Sequence, residues 1–127
     1  MKSFNKDGLI FFSNSKSKKG REIESNSKVA VCFHWKSLEK QVRLRGKIKK
    51  ISNQESDNYF SSRDRNSKIG AWASAQSRKL IKRGDLEKSY NEVSLKYKDK
   101  EIPRPPHWGG YIIKPNSIEF WDNRPFR

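Results

Sequence analysis

The apolar and polar positions of the chain divide it into short strands and capped helices. Leu9-Ile10-Phe11-Phe12 is an unbroken apolar run that follows the turn signal Asn5-Lys6-Asp7-Gly8, which predicts a short buried strand over Leu9–Ser13. Ser15–Asn26 has helix character, with Ser15 or Ser17 able to cap it and Ile23 as its apolar contact. Val29, Val31 and Phe33 then alternate with Ala30, Cys32 and His34, the period of a second strand. A third and longer strand is predicted over Gln41–Ile51. There Val42, Leu44, Gly46 and Ile48 alternate with Arg43, Arg45, Lys47 and Lys49, so one face is half-buried and the other basic.

Ser52-Asn53-Gln54-Glu55 fits a capping box and predicts a helix running through Tyr59 and Phe60. Ile69–Trp72 is small and apolar and predicts a turn or short helix. Asp85 is placed to cap a helix in which Leu86, Tyr90, Val93 and Tyr97 recur at helical spacing. Ile102-Pro103-Arg104-Pro105-Pro106 cannot be helical and reads as an extended connector. Gly109–Lys114 and Ser117–Trp121 predict two strands of a hairpin turning through Pro115-Asn116. The resulting order, β-α-β-β-α-α-β-β, has too few βαβ units for a doubly wound sheet. It predicts a mainly β fold, an antiparallel sheet or barrel with helices packed on it, in a single domain over residues 1–127.

Composition narrows the function classes. Aromatic residues make up 12% of the chain, which argues for a folded protein, while 32% apolar against 34% charged residues gives a thin core. No apolar stretch approaches the roughly 20 residues of a membrane span. Met1 is followed by Lys2-Ser3-Phe4-Asn5-Lys6-Asp7 and not by the apolar segment of a signal peptide. Cys32 is the only cysteine, so no intramolecular disulfide is available and a reducing, cytoplasmic setting is expected. With His34 and His107 as its only histidines, the chain offers no Cys/His zinc site, and no metal is expected. The formal charge of +15 invites a nucleic-acid partner, but Lys, Ser and Asn are abundant along the whole chain, and a smaller anion such as a phosphate ester is attracted equally.

Three local groups can carry chemistry. Ser17-Lys18-Lys19 stands at a helix start, where free N–H groups, the helix dipole and two ammonium groups suit a phosphate; as a plain basic turn it would be solvated. Tyr59, Arg63 and Ser67 combine a phenol, a guanidinium and a hydroxyl, with Tyr59 and Arg63 one helical turn apart. They form either an oxyanion cradle or a core tyrosine beside a surface arginine. Gln76-Ser77 together with Trp121 can hydrogen-bond and stack a heteroaromatic ring, or be a polar loop and an ordinary core tryptophan.

Taken in order along the chain, these segments resemble the pyridoxamine 5′-phosphate oxidase family. The segments are Gly8-Leu9-Ile10-Phe11-Phe12-Ser13-Asn14, Ser17-Lys18-Lys19, Glu39-Lys40-Gln41-Val42 and Tyr59-Phe60-Ser61-Ser62-Arg63. They continue with the highly specific Ser67-Lys68-Ile69-Gly70-Ala71-Trp72-Ala73-Ser74-Ala75-Gln76-Ser77, then Trp108-Gly109-Gly110-Tyr111 and Ile118-Glu119-Phe120-Trp121. The resemblance implies an FMN-binding split β-barrel that forms a homodimer, with FMN between the subunits. It implies oxidation of pyridoxamine 5′-phosphate or pyridoxine 5′-phosphate to pyridoxal 5′-phosphate, with dioxygen reduced to hydrogen peroxide.

Residue by residue, the resemblance sets Lys18 and Lys19 at the FMN phosphate, and Phe12, Ser13, Gln41, Gln76, Ser77 and Trp121 at further FMN contacts. Lys2, Tyr59, Arg63 and Ser67 would cradle the substrate's 5′-phosphate, and Arg127 would lie against its pyridine ring as the catalytic arginine. Two departures are visible. Lys18 stands where the family commonly has arginine, which keeps the charge but loses the bidentate fork. The family's basic strand ahead of Lys2 and its continuation past Arg127 are not in this sequence, so a fragment lacking both ends is expected. The other readings are a split-barrel flavin protein with another substrate and a basic nucleic-acid-binding module.

Overall fold

A computed structural model of the chain describes residues 2–74 and 84–124. Five strands form one antiparallel sheet in the order β1-β2-β5-β4-β3. They are β1 (Ser3–Asn5), β2 (Gly8–Asn14), β3 (Lys28–Trp35), β4 (Lys40–Lys50) and β5 (Trp108–Asp122). The helices are α1 (Lys18–Ser25), α2 (Asn53–Ser61), α3 (Arg65–Ala73) and α4 (Gly84–Lys96), and a 3₁₀ turn over Lys36–Leu38 joins β3 to β4.

The alternating pattern does what it predicts in β4, where Leu44, Gly46 and Ile48 are buried and Arg43, Arg45, Lys47 and Lys49 are exposed. The caps also hold. The Ser17 hydroxyl accepts from the Gly20 N–H to open α1, and Ser52 and Glu55 make both bonds of a capping box on α2. Asp85 is not a cap: α4 already includes Gly84, so the carboxylate lies in the first turn, where it suits the helix dipole. Tyr90 and Val93 of α4, and Tyr97 just past its end, pack inward as their spacing predicts, whereas Leu86 is exposed.

The expected hairpin at Pro115-Asn116 does not form. Residues 108–122 are one continuous strand, pairing β2 through Trp108–Ile113 and β4 through Tyr111–Asp122. Gly46 lies opposite Pro115 and Arg45 opposite Ser117, so Asn116 is the extra residue of a bulge. Pro115 lies past the end of the β2 pairing, where β5 has β4 as its one ladder neighbour, and at the bulge; both settings tolerate a residue without an N–H. Gly46 makes the bulge possible, because a Cβ there would run into the Lys114 carbonyl.

The sheet curls. Strands β2 and β3 are separated by two others in the strand order, yet Leu9 and Phe11 of one and Val29, Val31 and Phe33 of the other pack on the same buried cluster of Leu44, Ile48, Tyr111 and Ile113. Ile23 of α1 closes that interior from one side. A second core lies outside the curl, where Phe60, Ile69, Ala71, Ile102 and Trp108 join α2, α3, the proline-rich connector and the start of β5. No helix among the described residues is long and apolar enough to cross a membrane.

Candidate functional site

Strand alternation splits the candidate residues of β2 between the two cores. Phe11 points into the curl, and Phe12 points out toward the helices. There Phe12 stacks on Tyr59, with ring centroids 3.9 Å apart and planes 10° from parallel. Trp108 lies parallel to both, 5.1 Å from Phe12 and 6.2 Å from Tyr59, and Phe60 meets it edge-on at 5.1 Å. Gly110, the ladder partner of Phe12, is required here, because a Cβ would strike the Phe12 ring and the Ile51 side chain.

Arg63 sits against this aromatic floor. Its guanidinium carbon is 5.0 Å from the centre of the Trp108 ring and 5.7 Å from that of Phe60. Cation–π contacts of this kind are worth about 2 kcal/mol when desolvated. Nη1 of Arg63 is buried and has no hydrogen-bond partner among the described residues. A buried donor on a cation is costly to leave unmade, so the arrangement suits an anion with oxygen acceptors. Tyr59 flanks the same tryptophan from α2. Ser67, half-buried near the start of α3, donates its backbone N–H to the Asp64 carboxylate at 2.9 Å. Hydrogen bonding from the Ser67 side chain and then from its backbone N–H holds the Asp64 carboxyl below its ordinary value. Tyr59 and Arg63 thus meet at Trp108, with Ser67 tied to the residue after Arg63. Lys2 stands apart: its backbone N–H bonds to the Ile10 carbonyl at 2.9 Å, and the residue is exposed.

The first candidate group keeps its own place. Ser17 is buried, accepting from the Gly20 N–H at 3.1 Å and donating to the Asn14 carbonyl at 2.7 Å. The adjacent Ser13 is buried too. Lys18 is exposed and 3.9 Å from Glu22, and the Lys19 ammonium lies 5.4 Å from the Phe11 ring centre. The N-terminus of α1 and the Lys19 ammonium therefore stand beside Phe11 of the curl, with Lys18 exposed on the same first turn.

Gln41 and Trp121 are direct ladder partners, on one face at the far end of β4 and β5. Gln76, Ser77 and Arg127 lie outside the described residues. Two contributors were not singled out from sequence. Trp108 is the common ring beneath Phe12, Tyr59 and Arg63, and Arg104 bonds its carbonyl. The signal for Arg104 was a lone arginine inside an otherwise apolar connector.

Comparison with known proteins bears on the family and the fold. Residues 1–97 match the family model described as pyridoxamine 5′-phosphate oxidase, and residues 108–127 match the pyridoxine 5′-phosphate oxidase C-terminal dimerisation region. Proteins named pyridoxine/pyridoxamine 5′-phosphate oxidase from Brucella canis and Brucella suis are 55% identical over all 127 residues, and the chain spans 63% of their length. The crystal structure of PhzG from Burkholderia lata 383, in complex with tetrahydrophenazine-1-carboxylic acid, superposes with a TM-score of 0.89 at 28% identity. That match covers 98% of this chain and 61% of that one. A pyridoxamine 5′-phosphate oxidase-related, FMN binding protein from Nostoc punctiforme shares the fold at a TM-score of 0.70 and 15% identity, over 95% of this chain and 64% of that one. The curled sheet is thus the split barrel of these neighbours, and the chain belongs to the pyridoxamine 5′-phosphate oxidase family.

Proposed function

We propose that this chain forms the flavin- and substrate-binding body, a single domain, of a cytoplasmic FMN-dependent oxidase. It converts pyridoxamine 5′-phosphate or pyridoxine 5′-phosphate to pyridoxal 5′-phosphate, with dioxygen reduced to hydrogen peroxide. The observation that carries the reading is Arg63, whose buried Nη1 has no hydrogen-bond partner among the described residues and whose guanidinium lies on an aromatic floor beside Tyr59. A phosphate dianion meets that demand with Ser67 beside it, and Lys2, which stands apart within one chain, would join the cradle only as supplied by the second copy. The phosphate is remote from the reacting C4′, so its binding energy goes into placing that carbon. Arg127 lies against the pyridine ring in this reading.

The residues present fit FMN. Lys18, Lys19 and the N-terminus of α1 suit its phosphate, and in this reading Phe12, Ser13, Gln41, Gln76, Ser77 and Trp121 would meet the rest. FMN, when bound, supplies the acceptor for the hydride lost from C4′ and the route of its electrons to dioxygen.

The site takes residues from two copies of the chain. Phe12 pairs with Gly110, and Gln41 pairs with Trp121 at the other end of β5. These pairs are separated by about 35 Å along the strand at roughly 3.3 Å per residue, too far to share one cofactor within a chain. The far end also leaves Phe120 and Ile118 exposed on the face of Phe33 and Val42, as a homodimer interface requires.

The likeness to PhzG favours a second reading, in which Arg63 meets a substrate carboxylate. One assay separates the two. The FMN-loaded protein is offered pyridoxamine 5′-phosphate, pyridoxamine and a cyclic carboxylic acid, and products are followed with the flavin spectrum. Yellow protein that oxidises the phosphorylated amine far better than the other two supports the main reading. Equal or exclusive activity on the carboxylic acid replaces it with the second.

A further inference from the structure

The structure assigns Arg104 the part of a positioning residue for the Arg63 cradle; this rests on the substrate reading above. Arg104 stands in the Ile102–Pro106 connector with its side chain only 14% exposed. Its guanidinium reaches three points. Nε donates to Asp57 at 2.5 Å, Nη2 to the Asn53 side-chain oxygen at 3.1 Å, and Nη1 to the Trp108 backbone carbonyl at 2.5 Å. Asn53 and Asp57 are one turn apart on α2, hence on one face of it. Trp108 is the first residue of β5. One planar fork therefore fixes both the rotation of α2 and its distance from the start of β5.

The same two elements make the cradle. The far turn of α2 carries Tyr59 and leads into Arg63, and the Trp108 ring lies under both. Trp108 is thus held through its carbonyl by one arginine while its ring supports the other. The only other polar tie between α2 and β5 is a neutral one, from the Gly110 N–H to the Ser56 hydroxyl at 3.1 Å, among the described residues. A displacement of α2 would strip a nearly buried guanidinium of its acceptors, which is strongly resisted. Lysine at this position keeps the charge but not the fork, so it tests geometry and not electrostatics.

The experiment compares FMN-loaded wild type, Arg104→Lys and Asp57→Asn on pyridoxamine 5′-phosphate and on pyridoxamine. Arg104→Lys is expected to raise KM for the phosphorylated substrate about 5- to 10-fold, the size of effect seen when contacting residues are coupled. Its kcat, its KM for pyridoxamine and its FMN affinity stay near wild type. Asp57→Asn moves the same KM in the same direction by less. In an Arg63→Ala background, Arg104→Lys brings no further loss, because the group it positions is gone. Equal losses on both substrates, or additive losses in the double variant, make Arg104 a structural residue and overturn the inference. So does a full phosphate preference in both variants, or failure of both to fold; should Arg104→Lys alone fail to fold, Asp57→Asn decides. Wild-type protein with no preference for the phosphorylated substrate overturns the substrate reading itself, and the inference with it.

Discussion

The two ends of β5 have the same alternating backbone and opposite surroundings. From Trp108 to Ile113 nearly every residue is buried, on one face by the interior of the curl and on the other by α2 and the aromatic floor. From Ser117 to Trp121 every residue is exposed, although Ile118, Phe120 and Trp121 are no less apolar. Each end has a ladder partner, β2 for the first and β4 for the second, so having a partner strand does not by itself decide burial. At the first end a helix layer supplied by this chain covers the strand. At the second, nothing among the described residues does, and the covering surface in our proposal is a second copy.

The largest effect should come from cutting each end in turn. Trp108→Ala removes the ring that Phe12, Tyr59, Phe60 and Arg63 all touch, and is expected to cost about 3–5 kcal/mol in a urea unfolding series. Phe120→Ala should change the stability of the dilute single chain by no more than about 0.5 kcal/mol while shifting sedimentation toward monomer. Similar stability losses at both ends would break the contrast.

Next in size is Arg63→Ala. Hydrogen bonds to charged groups are worth about 1.5–3 kcal/mol, so turnover of pyridoxamine 5′-phosphate should fall at least about tenfold in kcat/KM. FMN stays bound, and pyridoxamine turnover is nearly unmoved. A flavin-free variant would show that the two phosphate positions have been exchanged.

Lys19→Ala and Lys114→Ala each remove one charge, but only Lys19 stands at the helix start beside Phe11. FMN affinity should weaken about tenfold in the first and hardly at all in the second. Equal dissociation constants would reduce the effect of Lys19 to the general field.

The smallest effect is on acid stability. Asp64 and Glu55 are held below their ordinary values, chiefly by the hydrogen bonds each makes as part of a helix cap. Folding therefore favours their charged forms. Their contribution is complete above the unfolded carboxylate range and is lost as pH falls through the lower folded values. The urea midpoint should drop between pH 6 and about pH 3, and Asp64→Asn should make that drop slightly shallower.

Most of what sequence could reach was local. Ser17 and Ser52 mark the starts of α1 and α2 because each cap is completed within three residues. The β4 pattern was legible because period-two burial is written in consecutive positions. Pro115 misled because its tolerance depends on Gly46, a residue of another strand. Tyr59 and Arg63 were found as a pair, but their floor was not, since Phe12, Tyr59 and Trp108 come together from distant segments. That Gln41 and Trp121 are ladder neighbours, and how far they stand from Phe12, is visible only in the register.

The bulge at Asn116 has a dynamic consequence. Pro115 contributes no amide to the ladder, so β5 is stitched as two lengths joined at a proline. The amides of Trp108–Ile113, closed in by both cores, would exchange with solvent deuterium only when the whole domain opens. Those from Ser117 onward would exchange through a smaller local opening that stops at the bulge, until a second chain covers them. One strand would then report two protection levels, and the difference between them would shrink as protein concentration rises.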